Sequence, residues 1–297
     1  MSATTKATTV EASTMTSGIA STKAELLRLR KWPAVWITIG AWMALTTMFG
    51  YLFNYLSYKT GDTSFSNEGE TAGSLLADIL PANVPSVLLQ GMPMFGGALM
   101  LVLGALVAGN GYGWGTWKTV FTQGPARPSV LAGSLSALTA FVVATVLATL
   151  VLCLGLSLLV AAVESQHVVW PAVSDLGTSL GAGFLVMETW ALIGFLIGTL
   201  ARGPALSVGL GLVWTLVVEN LLRGVGQLLG PVETFTKFLP GTGGGSLVGS
   251  IVGTGGPDPT PGVLDVLGGG QATALLLGYL LLTPVLAGWL ITRRDVA

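Results

Sequence analysis

Residues 130–163 read VLAGSLSALTAFVVATVLATLVLCLGLSLLVAAV, thirty-four consecutive positions without a charged side chain. About 20 apolar residues suffice for a helix to cross a bilayer, so this run predicts a spanning helix that tilts, kinks or protrudes. Five further apolar stretches accompany it, at Ala34–Leu56, Pro85–Ala108, Leu176–Leu200, Pro204–Leu222 and Gln271–Ile291. Together they leave no segment for an independent soluble domain. The fold class they define is an all-α integral membrane protein with six transmembrane helices.

Composition agrees. Lys+Arg number 13 and Asp+Glu 14, so charged residues make up 9% of the 297 positions, where a soluble domain carries about 25%. The hydrophobic fraction is 52% and mean hydropathy +0.76. The 42 glycines, roughly twice the usual share, suit helices packed closely in lipid. With a net charge of −1 and no basic stripe, the chain lacks the counterion-releasing surface that nucleic acid requires. A single cysteine, Cys153, and a single histidine, His167, supply neither a disulfide pair within the chain nor a Cys/His zinc site.

Residues 1–20, rich in Ser, Thr and Ala, read as a disordered cytoplasmic tail. The apolar run after the basic cluster is too long for a signal-peptide core and has no clear cleavage site, so the tail is expected to stay attached. Residues 21–32 read as an interfacial amphipathic helix. Thr22 to Glu25 has capping-box spacing, and Leu26, Leu27, Leu29 and Trp32 alternate with Arg28, Arg30 and Lys31. Residues 33–297 then form the membrane domain. Placing the N-terminus inside leaves Lys6, Lys23, Arg28, Arg30, Lys31, Lys118, Arg127, Arg202, Arg293 and Arg294 cytoplasmic. Only Lys59, Arg223 and Lys237 are then outside. By the positive-inside rule both termini are cytoplasmic, and the acidic loop with Asp62, Glu68, Glu70 and Asp78 faces out.

Residues 223–270 are too long for a plain connection and not uniformly polar. Val225, Leu228, Leu229, Val232, Phe235 and Phe238 recur at helical spacing. They predict one or two short re-entrant helices in the outer leaflet before the last span. The Gly-rich stretch 241–256 is expected to return the chain as non-helical backbone covered by protein or water.

The cytoplasmic loop 109–128 is GNGYGWGTWKTVFTQGPARP. Thr116 is placed to cap a short helix ending near Gly124–Pro125. Trp117, Val120 and Phe121 share one of its faces, which predicts either an exposed docking surface or an aromatic belt anchored by Lys118 and Arg127. Neither a nucleotide-binding GxxxxGK[ST] nor an HExxH occurs, so ATP binding through such a loop and intramembrane hydrolysis are not expected of this chain.

The run Gly113 to Val120, followed by Gln123-Gly124-Pro125 and Arg127 and then another span, resembles the permease subunits of bacterial type-2 ABC exporters. The order of elements is similar as well. The resemblance covers about residues 21–297. It implies that Trp114, Thr116, Trp117, Lys118 and Phe121, with Arg127 at the exit, couple to a cytoplasmic ABC ATPase. That separate subunit would hold ATP and Mg, and this chain would bind no cofactor. A second copy or a homologous permease, membrane lipid, and a place in the bacterial plasma membrane are further implications. So is outward export of an amphipathic small molecule, lipid or peptide. Members often carry an acidic residue and a Lys where this chain has Gly111 and Ser134.

Glu188 lies near the middle of the fourth span, where a lone charge costs at least ~2.5 kcal/mol. It reads either as a substrate-path or proton-relay residue or as a carboxyl hydrogen-bonded to a neighbouring helix. The first option opens an alternative function, an ATP-independent ion-coupled carrier. A third is a non-transport membrane protein that holds a partner through the 114–121 loop. Glu219, with Asn220, is expected to be solvated near the outer end of the fifth span, with Arg223 one turn on as a partner. Gly194 and Gly198 form a GxxxG that permits close contact within the subunit or across a dimer.

Overall fold

A computed structural model of the protein describes residues 18–61, 71–122, 126–253 and 260–293, and among them every regular element is helical. In chain order these are α1 (18–31), α2 (Pro33–Thr60), α3 (Ala72–Asp78), α4 (Val84–Leu89), α5 (Met92–Gly113) and α6 (Thr116–Thr122). They continue with α7 (Arg127–Val163), α8 (Val173–Ala201), α9 (Pro204–Gly226), α10 (Gly230–Thr236), α11 (Pro240–Val252) and α12 (Gly269–Arg293). Six of them, α2, α5, α7, α8, α9 and α12, are long and apolar enough to cross a membrane.

The centre of the bundle is the α5–α8 pair, packed through glycines. A Cβ added at Gly104 would strike the Ala191 carbonyl, one at Gly194 the Leu101 carbonyl, and one at Gly198 would lie 2.7 Å from the Ala105 oxygen. With no side chain between them, the two backbones touch directly. Large side chains pack at one end of this seam, where Trp190 lies over Gly97 and Met187 over Gly96. The Gly194–Gly198 pair therefore works within the subunit.

α7 is one unbroken helix of 37 residues, about 55 Å long. Even the steepest tilts in known proteins, about 40°, would not hide that length in a ~30 Å hydrocarbon layer, so α7 extends beyond it in any bilayer it crosses. One of its faces is buried, and the opposite one exposes Val143, Leu147 and Val151 at four-residue spacing. Its far end is tied to α2. Glu164 accepts hydrogen bonds from Tyr55 (2.7 Å) and Tyr58 (3.2 Å) and pairs with Lys59 at 2.7 Å.

Four expectations need correction. The second span begins at Met92, not near Pro85, because Gly91 adopts a left-handed conformation (φ 71°) and separates α4 from α5. Residues 18–20 are already helical, and residues 1–17 lie outside the described residues. Thr22 donates its hydroxyl to the Gly18 carbonyl (3.0 Å), so it sits inside α1 rather than capping it. The Gly-rich stretch is helical through Val252 and buried over most of its length. Glycine costs a helix about 1 kcal/mol per residue relative to alanine. Here the bare backbone admits neighbours that offset this: Leu264 N–H donates to Gly245 O (3.1 Å), Val186 meets Gly244, and Leu275 and Leu276 meet Gly243. Asp62, Glu68, Glu70, Gln123 to Pro125, Thr254 to Gly256 and Arg294 lie outside the described residues.

Gly194→Leu is expected to destabilise the protein in detergent by about 2–3 kcal/mol through overpacking against the Leu101 carbonyl. Gly155→Leu, which meets open space on α7, should leave the unfolding midpoint unchanged.

Candidate functional site

The loop end of the bundle is built around Trp117. α5 runs to Gly113, and Gly115 turns the chain with φ 67°. Its carbonyl accepts the first bond of α6, from Thr119 N–H (3.1 Å). Gly115 thus occupies the capping position, and Thr116, expected there, is the first helical residue. Trp117 is 4% exposed. Its indole N–H donates to the Ala108 carbonyl at 3.2 Å, and its ring lies between Tyr112 and Phe121, with centroids 6.1 and 5.4 Å away.

The expectation of an exposed Trp117–Phe121 face is therefore overturned: Trp117 is buried and Phe121 half-buried. An indole with an accessible backbone carbonyl and flanking rings gains more from packing than from water. Gly111 lies beneath this indole. A Cβ there would occupy the space of the Trp117 ring, so no acidic side chain fits. Ser134, early in α7, is wholly buried.

What faces outward is Trp114, 67% exposed, with Lys118, Thr119 and Thr122. Trp114 meets Trp32 edge-on at 6.2 Å, next to the start of α2. Arg127 stacks over Phe121 at 5.4 Å and donates to the Ile291 carbonyl of α12 at 3.0 Å. The loop is thus fastened to α5, to the α1–α2 junction and to α12.

Two buried glutamates lie elsewhere in the bundle. Glu188 on α8 is 3% exposed and accepts a hydrogen bond from Thr139 of α7 at 2.5 Å. Its Oε2 has no hydrogen-bond partner, and no basic side chain pairs with it among the described residues. The inter-helix bond fits the structural reading, while the unpartnered oxygen keeps the relay reading open.

Glu219, expected to be solvated, is fully buried. Trp214 donates to its Oε1 at 3.1 Å, and Arg223 approaches Oε2 at 3.8 Å. Residues five apart diverge on an ordinary helix, but Val213–Val218 is a wide π-type turn that brings 214 and 219 to one face. α10 and α11 fold back over this face. The carboxyl meets the Gly241 backbone at the start of α11, where the helix dipole favours negative charge. Any larger residue at 241 would block it. The Glu219–Arg223 pairing, four residues apart, was offered by spacing and is present, whereas the Trp214 and Gly241 contacts depend on the π-type turn and on α11 folding back, which spacing alone could not reveal. The glycines of α11 were the available signal.

Among the described residues no group of His, Cys, Asp and Glu is arranged to hold a metal. The class these observations define is an all-helical chain whose six long apolar helices fit a multi-pass membrane protein. The chain matches no protein-family model and no curated protein sequence.

Two outcomes are expected. Glu219→Ala removes the carboxylate facing Arg223, which then keeps only its bond to Asn220 (2.8 Å) among the described residues, and uncaps the α11 terminus. It should cost about 2–3 kcal/mol in detergent unfolding, with Glu219→Gln milder because it can still accept from Trp214. The hydrogen bond from Lys59, followed by that from Tyr55, holds the Glu164 carboxyl below its ordinary range. Its stabilisation is therefore complete above the ordinary glutamate pKa and disappears as pH falls through the lowered one. Thermal unfolding of Glu164→Gln should lack this acid-side decline.

Proposed function

We propose that this chain is the membrane-spanning permease subunit of a type-2 ABC exporter. The observation that carries the reading is the fastening of the 114–127 loop: Trp117 is locked into α5 and Arg127 onto α12, while Trp114 and Lys118 face outward. A loop so anchored transmits a push at its exposed face to the spans, which a mobile loop cannot do. The outer surface presents Trp114, a residue type that anchors many protein contacts, beside the Lys118 cation.

On this reading a cytoplasmic ABC ATPase binds ATP and Mg, closes, and moves the loop. The spans, paired with a second copy or a homologous permease, then switch access so that an amphipathic substrate leaves outward. The chain itself hydrolyses nothing. α1, with Lys23, Arg30 and Lys31 exposed and Leu29 buried, lies along the inner membrane surface against lipid headgroups. α10 and α11 are the re-entrant outer helices. Both termini are cytoplasmic in a bacterial plasma membrane, in accord with the distribution of Lys and Arg.

The unpartnered oxygen of Glu188 favours one second reading, a carrier driven by a proton or cation gradient without ATP.

The test is isolation of the tagged protein from its native host in mild detergent, with and without Trp114→Ala plus Lys118→Glu, two exposed changes that leave the Trp117 anchor intact. A stoichiometric partner bearing a GxxxxGK[ST] loop, reduced at least tenfold in the variant, is the expected result. Absence of such a partner from the intact protein, together with gradient-driven flux abolished by Glu188→Gln, would establish the carrier instead.

A further inference from the structure

A cavity of about 470 Å³ opens between α2 and the start of α5, and neither the 114–122 loop nor Glu188 or Glu219 lines it. Its apolar wall includes four rings, Trp42, Phe49 and Phe53 of α2 and Phe95 of α5, beside Leu45 and Val87. Phe49 stacks on Phe95 at 6.3 Å with an interplanar angle of 11°, and meets Phe53 edge-on at 5.1 Å. Both helices carry a π-type turn here, at Met48–Leu52 and Met92–Gly96. Such turns add one residue per turn and redirect side chains, and they recur at functional sites.

The polar wall is unsatisfied. On α2, Thr38, Thr47 and Thr60 each donate to the carbonyl four residues back. Thr46, 5% exposed, does not: the residue lines the cavity, and its buried hydroxyl has no partner among the described residues. Asn54 and Gln90 also line this space, and their side chains make no hydrogen bond among the described residues. No charged side chain among the described residues lines the cavity.

We propose that this cavity binds an uncharged amphiphile: an aromatic or otherwise flat apolar body held among the four rings, with a hydroxyl, carbonyl or amide group bonded to Thr46, Asn54 and Gln90. The volume lies within the range of small-ligand sites, about 300–1,000 Å³, and the pairing of apolar walls with a few convergent polar groups is their usual composition. Three neutral donor–acceptor groups satisfy a neutral polar head. A charged one would lose its hydration with no counter-charge to replace it. As the substrate site of an exporter this rests on the permease reading; as a binding site it needs only this chain.

The test uses a carbene-generating probe, para-(trifluoromethyl-diazirinyl)benzyl alcohol, on the full chain in nanodiscs of phosphatidylethanolamine and phosphatidylglycerol. Saturable labelling is expected in the peptides carrying residues 42–54 and 90–95. It should be competed by the unlabelled benzyl alcohol and not by the matching benzoate. Thr46→Val with Gln90→Leu, which keep the shape of the cavity, should weaken apparent affinity about tenfold while the unfolding midpoint holds; if the double variant fails to fold, the competition pair decides. Non-saturable labelling over the lipid-facing sides of the spans, equal competition by the benzoate, or labelling indifferent to both substitutions would overturn the site. Saturable labelling without any co-isolated ATPase would keep the site and remove the exporter. An ATPase partner without saturable labelling would do the reverse.

Discussion

The direct contact of the α5 and α8 backbones is the constraint on which the rest of the molecule depends. Two helices that touch through Gly104, Gly194 and Gly198 have one distance and one rotation at which they fit. Once they are fixed, Trp190 and Met187 fall over Gly97 and Gly96. The same logic places α9, whose Gly211 accommodates Leu101, and the α8–α9 turn, where Pro204 packs on Gly109. In lipid there is no hydrophobic force between apolar helices, so close van der Waals fit must do this positioning.

Against that apolar background two groups of polar side chains gather where the helices depart from regular geometry. The π-type turn in α9 aligns Trp214 with Glu219, and those in α2 and α5 border the cavity with its unpartnered Thr46. A wide turn alters the register of everything after it, and that lets a span with an ordinary apolar sequence gather polar atoms on one side. The Gly-rich α11 belongs to the same scheme, because its missing side chains make room for a carboxyl at its first turn.

The loop between α5 and α7 illustrates how a residue can serve function by being hidden. Trp117 gives the loop its fixed position, and the exposed Trp114 and Lys118 are left to make contact. On the proposed reading, docking and transmission are carried by different residues of one short segment. The stacking of Arg127 on Phe121 and its bond to α12 extend the lever to the last span.

The number and rough extent of the spans were legible in the sequence, because hydropathy over twenty residues is a local sum that tertiary contacts do not alter. The GxxxG of α8 and the placing of Glu188 inside a span were legible for the same reason. Other features were not. The inward turn of Trp117 depends on the Ala108 carbonyl and the bare Gly111 lying beneath it, and the burial of Glu219 on α10 and α11 closing over it. The helicity of residues 240–252 runs against the preference of glycine and exists because Leu264, Val186 and Leu276 pack against it. The clamp between Lys59 and Glu164 joins residues 105 positions apart. The sequence by itself determined which segments are apolar enough to cross a bilayer. Which polar groups those segments bury, pair or leave open was decided by the tertiary structure, since it follows from distances between helices that no local pattern encodes.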